Sequence, residues 1–164
     1  MVLKFEDLKV LQAAELVADE IWRKVVRWDQ FARNVVGKQL ARAADSVGAN
    51  IAEAYGRFHF GEKLQFLYYA RGSLFEAKYW LNRSLERNLL TSEEVSNYAT
   101  QMTDLARQLN AFASELKAQR RKRQGRSRTI REDTPEYIAD WIDESPMPLF
   151  TVEEIEWMQS IPNT

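Results

Sequence analysis

Residues 39–58, QLARAADSVGANIAEAYGRF, carry Arg42, Ser46, Asn50, Glu53 and Arg57 at steps of four, four, three and four. On a helix that spacing puts all five on one face. Their types are specific hydrogen-bonders rather than the Lys and Glu of an ordinary solvated surface. Three uses fit them. Glu53 and Arg57 can form an i, i+4 ion pair worth about 0.2–0.5 kcal/mol, with Ser46 and Asn50 tolerated beside it. Asn50 and Glu53 can instead meet Ser73 and Glu76 across a helix or subunit interface, where an unmatched polar group would cost about 1–3 kcal/mol and hydrogen bonding would set the register. Arg42 and Arg57 can also hold phosphate. The small residues Ala43, Ala44, Gly48, Ala49 and Ala52 beside the stripe favour close packing.

Other chemistries fail on inventory. The chain has no cysteine, so thiolate nucleophiles, disulfides and zinc thiolates are excluded. A carboxylate-bridged di-metal site in a bundle needs Glu-x-x-His on two helices, and the single histidine, His59, falls in a turn. No Gly-rich phosphate loop and no Ser-His-Asp arrangement is present. The expectation is a protein without catalytic residues, metal or cofactor.

Charge is unevenly distributed. Residues 1–116 balance 15 Lys/Arg against 15 Asp/Glu, residues 117–131 hold 8 basic residues and no acid, and residues 132–164 hold 9 acids and no base. The chain divides accordingly into a body (1–116), a basic extension (117–131) and an acidic aromatic tail (132–164). Lys117, Arg120, Arg121, Lys122, Arg123, Arg126, Arg128 and Arg131 are candidate contacts to nucleic-acid phosphate, the alternative being a solvated run. In the tail, Tyr137, Trp141, Phe150, Ile155 and Trp157 stand among acids, which suits a peptide that docks on a partner protein or on the body itself. The tail could equally fold onto the basic run and compete with nucleic acid. Thr134-Pro135 and Thr151 with Glu154 read as starts of two short helices, with Pro146 and Pro148 bending the chain between them.

These residues need elements to position them, and the apolar spacing supplies helices only. Val10, Ala14, Val17, Ile21 and Val25 mark a first, and Val36, Leu40, Ala43, Val47, Ile51 and Ala54 a second. Gly61 reads as the break after it. A third spans about Glu62 to Arg87 with Leu64, Leu67, Leu74, Leu81 and Leu85 inward. Val95, Tyr98, Met102, Leu105, Leu109, Phe112 and Leu116 form a coiled-coil-like seam in a fourth, which starts at the Thr91/Glu94 capping box and can run to Gln124. Phe66, Tyr68, Tyr69, Phe75, Tyr79 and Trp80 exceed what one inward face of the third helix can bury. A neighbouring subunit would cover them, although exposure or the tail would also account for them. The N-terminus carries acids where a signal peptide needs an apolar core, and no stretch approaches the ~20 apolar residues of a membrane span. A soluble cytoplasmic protein is expected.

The same residues resemble a known family, the bacterial four-helix-bundle proteins of intervening sequences in large-subunit ribosomal RNA genes. FEDLKVLQAAELV is similar to its opening helix, with Leu11 where Trp is usual. QLARAADSVGANIAEAYGR matches its most distinctive element through Gln39, Leu40, Arg42, Ala43, Ala44, Ser46, Asn50, Ile51, Ala52, Glu53 and Arg57, with Ala54-Tyr55 in place of the common Glu-Gly. FLYYARGSLFEAKYWL matches the third helix through Phe66, Leu67, Ala70, Gly72, Ser73, Leu74 and Glu76. The resemblance covers about residues 4–117. It implies an all-α, antiparallel up-down four-helix bundle, here with a C-terminal extension of short helices, assembled as a homopentamer without enzymatic activity. Distant relatives of this architecture, the accessory variability proteins of diversity-generating retroelements, bind a reverse transcriptase and its RNA. The functional expectation is thus an oligomeric scaffold that binds nucleic acid and a partner protein, possible partners including a reverse transcriptase. The alternative is a protein-interaction scaffold that binds no nucleic acid.

Overall fold

A computed structural model describes residues 5–124 and 148–161. Every regular element among them is helical. A single 3-10 turn, Phe5–Asp7, leads into α1, Lys9–Val25. Helix α2, Gln30–Ala32, passes through a π-helical stretch, Arg33–Gly37, into α3, Lys38–Gly56, so that the path from Gln30 to Gly56 is helical throughout. Helices α4, Phe60–Glu86, and α5, Ser92–Gln124, follow, and α6, Val152–Ser160, ends the described chain.

The apolar ladder read from the sequence forms the core. All the marked residues of α1 and α3 are buried, as are Leu64, Leu67, Leu74 and Leu81 of α4 and Val95, Met102, Leu105, Leu109 and Leu116 of α5. Leu85, Tyr98 and Phe112 are half-buried against them. Each fully buried Leu or Ile contributes roughly 1.5–3 kcal/mol relative to exposure, which is why a 3-and-4 spacing suffices to hold helices together.

Helix α1 packs on α3 and α5, and α4 on α3 and α5, so all four surround one core. Cross-helix bonds fix their relative heights. Gln101 Nε2 donates to Glu20 Oε2 at 3.0 Å, and Lys24 pairs with Glu94.

The ends of the helices show where local chemistry decided the boundaries. Asp29 caps α2, its carboxylate accepting from Phe31 N and Ala32 N. The π stretch ends on Gly37, where a Cβ would lie 2.5 Å from Val25 Cγ1 and 3.3 Å from the Trp28 ring. Only glycine allows that approach. The break after α3 is at Arg57–His59 rather than at Gly61, which lies inside α4. A glycine in the first turn of a helix is tolerated, whereas the extended backbone at Arg57 and His59 cannot continue one. Helix α4 stops at Asn88, in the left-handed region at φ 54°, with Leu89 N bonded to Ser84 O and Asn88 N to Leu85 O. This is the Schellman arrangement, with Asn in the usual place of Gly. Both capping boxes expected from the sequence form, Thr91 with Glu94 and Thr151 with Glu154.

Candidate functional site

The polar stripe of α3 faces α4. Arg42 Nη2 lies 2.9 Å from Glu76 Oε1. Asn50 Nδ2 donates to Ser46 O at 2.8 Å and to Ser73 Oγ at 3.4 Å, while Ser73 Oγ donates to Tyr69 O at 3.0 Å. Arg57 is paired with Glu53, and its guanidinium sits 4.6 Å over the Phe66 ring. Both arginines that the sequence offered to phosphate are thus engaged by carboxylates. The helix-to-helix use of the stripe and the i, i+4 pair occur together, since Glu53 bonds within its own helix while Arg42, Asn50 and Arg57 reach α4. Of the flanking small residues, Gly48 faces the opposite neighbour. A Cβ on Gly48 would touch Ala14 and Leu11 of α1 at 3.9 and 4.0 Å.

Outside this seam α4 presents Tyr69, Phe75 and Tyr79 to solvent, with Arg71 stacked 5.5 Å over Phe75. Gly72 lies among them, with nothing within 4 Å of where its Cβ would be. Phe66, Tyr68 and Trp80 are half-buried against the core. The surplus of aromatics on α4 therefore divides between packing and exposure.

The basic extension is a continuation of α5. Leu116 is its last residue in the core, and the helix runs on to Gln124. Lys117 and Arg120 are half-buried, Arg121 and Lys122 are exposed, and Arg123 belongs to the same helix. At about 100° per residue these five positions surround the helix axis rather than forming one stripe. Arg126, Arg128 and Arg131 lie outside the described residues, as do Tyr137, Trp141 and the first short helix read in the tail.

The described part of the tail packs on the chain's own helices. Leu149, Phe150 and Met158 are buried in the common core and Ile155 is half-buried against it. Lys78 of α4 is the polar centre of that junction. Its ammonium donates to Leu149 O at 2.8 Å and to Glu154 Oε1 and Oε2 at 2.8 and 2.9 Å, and lies 4.7 Å from the Phe150 ring centre. Ser92 Oγ donates to Ile161 O at 3.0 Å, and Gln159 Nε2 to Ser96 Oγ at 3.2 Å. Burial pushes the Glu154 carboxyl up, but the Lys78 hydrogen bond, the Thr151 amide and the Lys78 charge outweigh it and hold the carboxyl below its ordinary value. Glu94 behaves alike, with burial opposed by Lys24 and Thr91. Of the residues read as docking on a partner or on the body itself, Phe150 and Ile155 pack against the chain's own core. Trp157 and Val152 remain exposed on the outer side of α6.

Lys78 was missed in the sequence, though a signal existed. It stands four residues after Leu74 and three before Leu81, a charge inside the inward row of α4. Such a charge requires a partner, and Glu154 is what supplies it.

A shallow cleft of about 500 Å³ runs between α1 and α3, floored by Leu11, Ala14, Ala18 and Gly48 and edged by Glu15, Asp19 and Asp45. Burial, and then Asp19, raise the Asp45 carboxyl. Among the described residues no three His, Asp or Glu side chains converge as metal ligands, and no helix is long and apolar enough to cross a membrane.

Compared with known families, residues 6–111 match the family described as 23S rRNA-intervening sequence protein. No curated protein matches the chain. The matched span takes in α1 to α4 and most of α5; the basic extension and α6 lie beyond it.

Proposed function

Because the chain belongs to the 23S rRNA-intervening sequence protein family, we propose that it is a non-enzymatic helical scaffold that binds RNA through the basic end of α5. The observation that carries this reading is the change in α5 itself. Up to Leu116 one face of α5 is buried, and from Lys117 to Gln124 its only charges are positive, with Arg121 and Lys122 exposed, a helical rod suited to phosphate. The family description, which refers to ribosomal RNA, agrees with that polymer.

The body is proposed to be an antiparallel up-down four-helix bundle. The pairs Glu20–Gln101 and Lys24–Glu94, and Arg42–Glu76 and Asn50–Ser73, support it by running in opposite senses along adjacent helices. Copies are proposed to assemble, as a pentamer by resemblance, through the exposed Tyr69, Phe75 and Tyr79 of α4. A protein partner of the tail, a reverse transcriptase in the retroelement reading, would meet Trp157 and Val152, which the body leaves uncovered.

The test is RNA binding by the full chain and by an Arg121→Ala/Lys122→Ala variant across a salt series. Truncation after residue 116 is a poorer test, since it also removes Leu149, Phe150 and Met158 from the core. For every phosphate that is no longer neutralised, the slope of log affinity against log salt should become shallower by about 0.7–0.9, with weaker binding at every salt concentration. A variant that binds as the wild type does, or a wild type that binds no RNA, overturns the proposal and leaves a protein-interaction scaffold.

A further inference from the structure

The end of the molecule from which α5 projects also gathers aromatic rings. Helices α4 and α5 are joined by the tight turn at residues 87–91, and stepping back from 86 to 60 or forward from 92 to 118 covers the same rise, roughly 39 Å at 1.5 Å per residue. The connection between α3 and α4 is therefore level with the start of the basic rod, one interhelical spacing of about 8–10 Å away. Stepping fifteen residues outward from the Glu20–Gln101 bond places Phe5 beside residue 116 in height. Three aromatic residues lie at this end, two of them paired. Phe5 and Tyr55 pack with centroids 5.3 Å apart, both partly open to solvent. Phe58 is 94% exposed, the most exposed large apolar side chain among the described residues.

Exposure of a single Phe is commonplace, but this one is held out by a constrained backbone. Its connection is only Arg57, Phe58 and His59, closed by Arg57 N to Ala54 O on one side and Lys63 N to His59 O on the other. Arg57, the residue before it, is paired with Glu53 and lies over Phe66. A ring standing in water level with the start of a positively charged helix end is the combination that receives an unpaired base while its phosphates lie along the charges. The nearby acids Glu6, Asp7 and Glu62 are exposed, so phosphate is confined to the α5 side and only the base reaches the turn.

We infer that Phe58 is a stacking platform for an unpaired nucleobase, and that the RNA taken by the basic end of α5 is single-stranded or bulged there. The inference rests on the RNA-binding reading above and names its substrate class. A duplex keeps its bases stacked on each other and offers none to the ring.

The experiment compares the full-length wild type with Phe58→Ala and Phe58→Trp, binding an unstructured single-stranded RNA and an RNA duplex of equal length, with particle mass measured alongside. Phe58→Ala is expected to weaken single-strand binding by about tenfold, with its salt slope and the duplex affinity unchanged. Phe58→Trp should restore it. Equal effects on both RNAs, no effect on either, or a fall in particle mass showing that the ring packs against a second copy, each overturn the assignment. If the wild type binds and Phe58→Ala is silent, only this inference fails. If the wild type binds neither RNA, the RNA-binding reading fails with it.

Discussion

Helix α4 carries an ion pair on each of two sides, Glu76 to Arg42 of α3 and Lys78 to Glu154 of α6. The Arg42 and Glu76 side chains are 64% and 41% exposed, and water competes for every bond they make. Lys78 is 18% exposed, and its ammonium meets a carboxylate, a carbonyl and an aromatic face together. The pair that stands out in the sequence, within a motif, is the weaker one. The pair formed by an inconspicuous lysine and a residue 76 positions later joins the tail to the body. Motif prominence and energetic weight are thus separate properties, and burial decides the second.

That contrast can be broken by experiment. Lys78→Ala should cost about 2–3 kcal/mol, because it strands the Leu149 carbonyl and a half-buried carboxylate rather than merely deleting an attraction. Chemical denaturation would measure it, and limited proteolysis should find the segment 148–161 cut faster. A loss below about 0.5 kcal/mol would place this pair with the surface ones.

Acid gives a smaller effect. Glu94 and Glu154 are held below the ordinary carboxyl value of 4.5 in the native state, so between the two values the unfolded chain binds more protons. Stability from both pairs is therefore complete above the ordinary value and lost as pH falls through the depressed ones. Denaturation midpoints followed from neutral pH to acid should show it, and Lys78→Ala should reduce the part due to Glu154 to what the Thr151 amide supplies while keeping that due to Glu94. The smallest change is expected from Arg42→Ala, within about 0.5–1 kcal/mol by the same denaturation assay. A larger loss would mean that the seam between α3 and α4 is covered in the assembled protein.

What could be read from the sequence was local. The 3-and-4 spacing located the buried faces of α1, α3 and α5, and the threonine–glutamate spacing located both capping boxes. The partnership of Asn50 with Ser73, and the approach of Glu76, were also legible, because two polar rows on successive helices have few other places to go. The helix starting at Asp29 was not, because its first turn is followed by a π stretch that breaks the regular period. Docking of α6 escaped for a different reason. Acids beside aromatics fit a partner or the chain's own surface equally well, and only three-dimensional proximity of Lys78 to Glu154 separates the two. Phe58 was not singled out in the sequence, because its setting depends on what stands level with it at the end of α5.

The docking of residues 148–161 also sets an order in time. A ribosome adds about 5–20 residues per second, so the roughly forty residues between Leu116 and Met158 take several seconds to make. During that interval the nascent chain already holds α1 to α4 and the core residues of α5, while the sites that Leu149, Phe150 and Met158 will fill stand empty and Lys78 has no carboxylate. The body is thus born with an open apolar face that α6 closes, and whatever else binds that face has those seconds in which to do so.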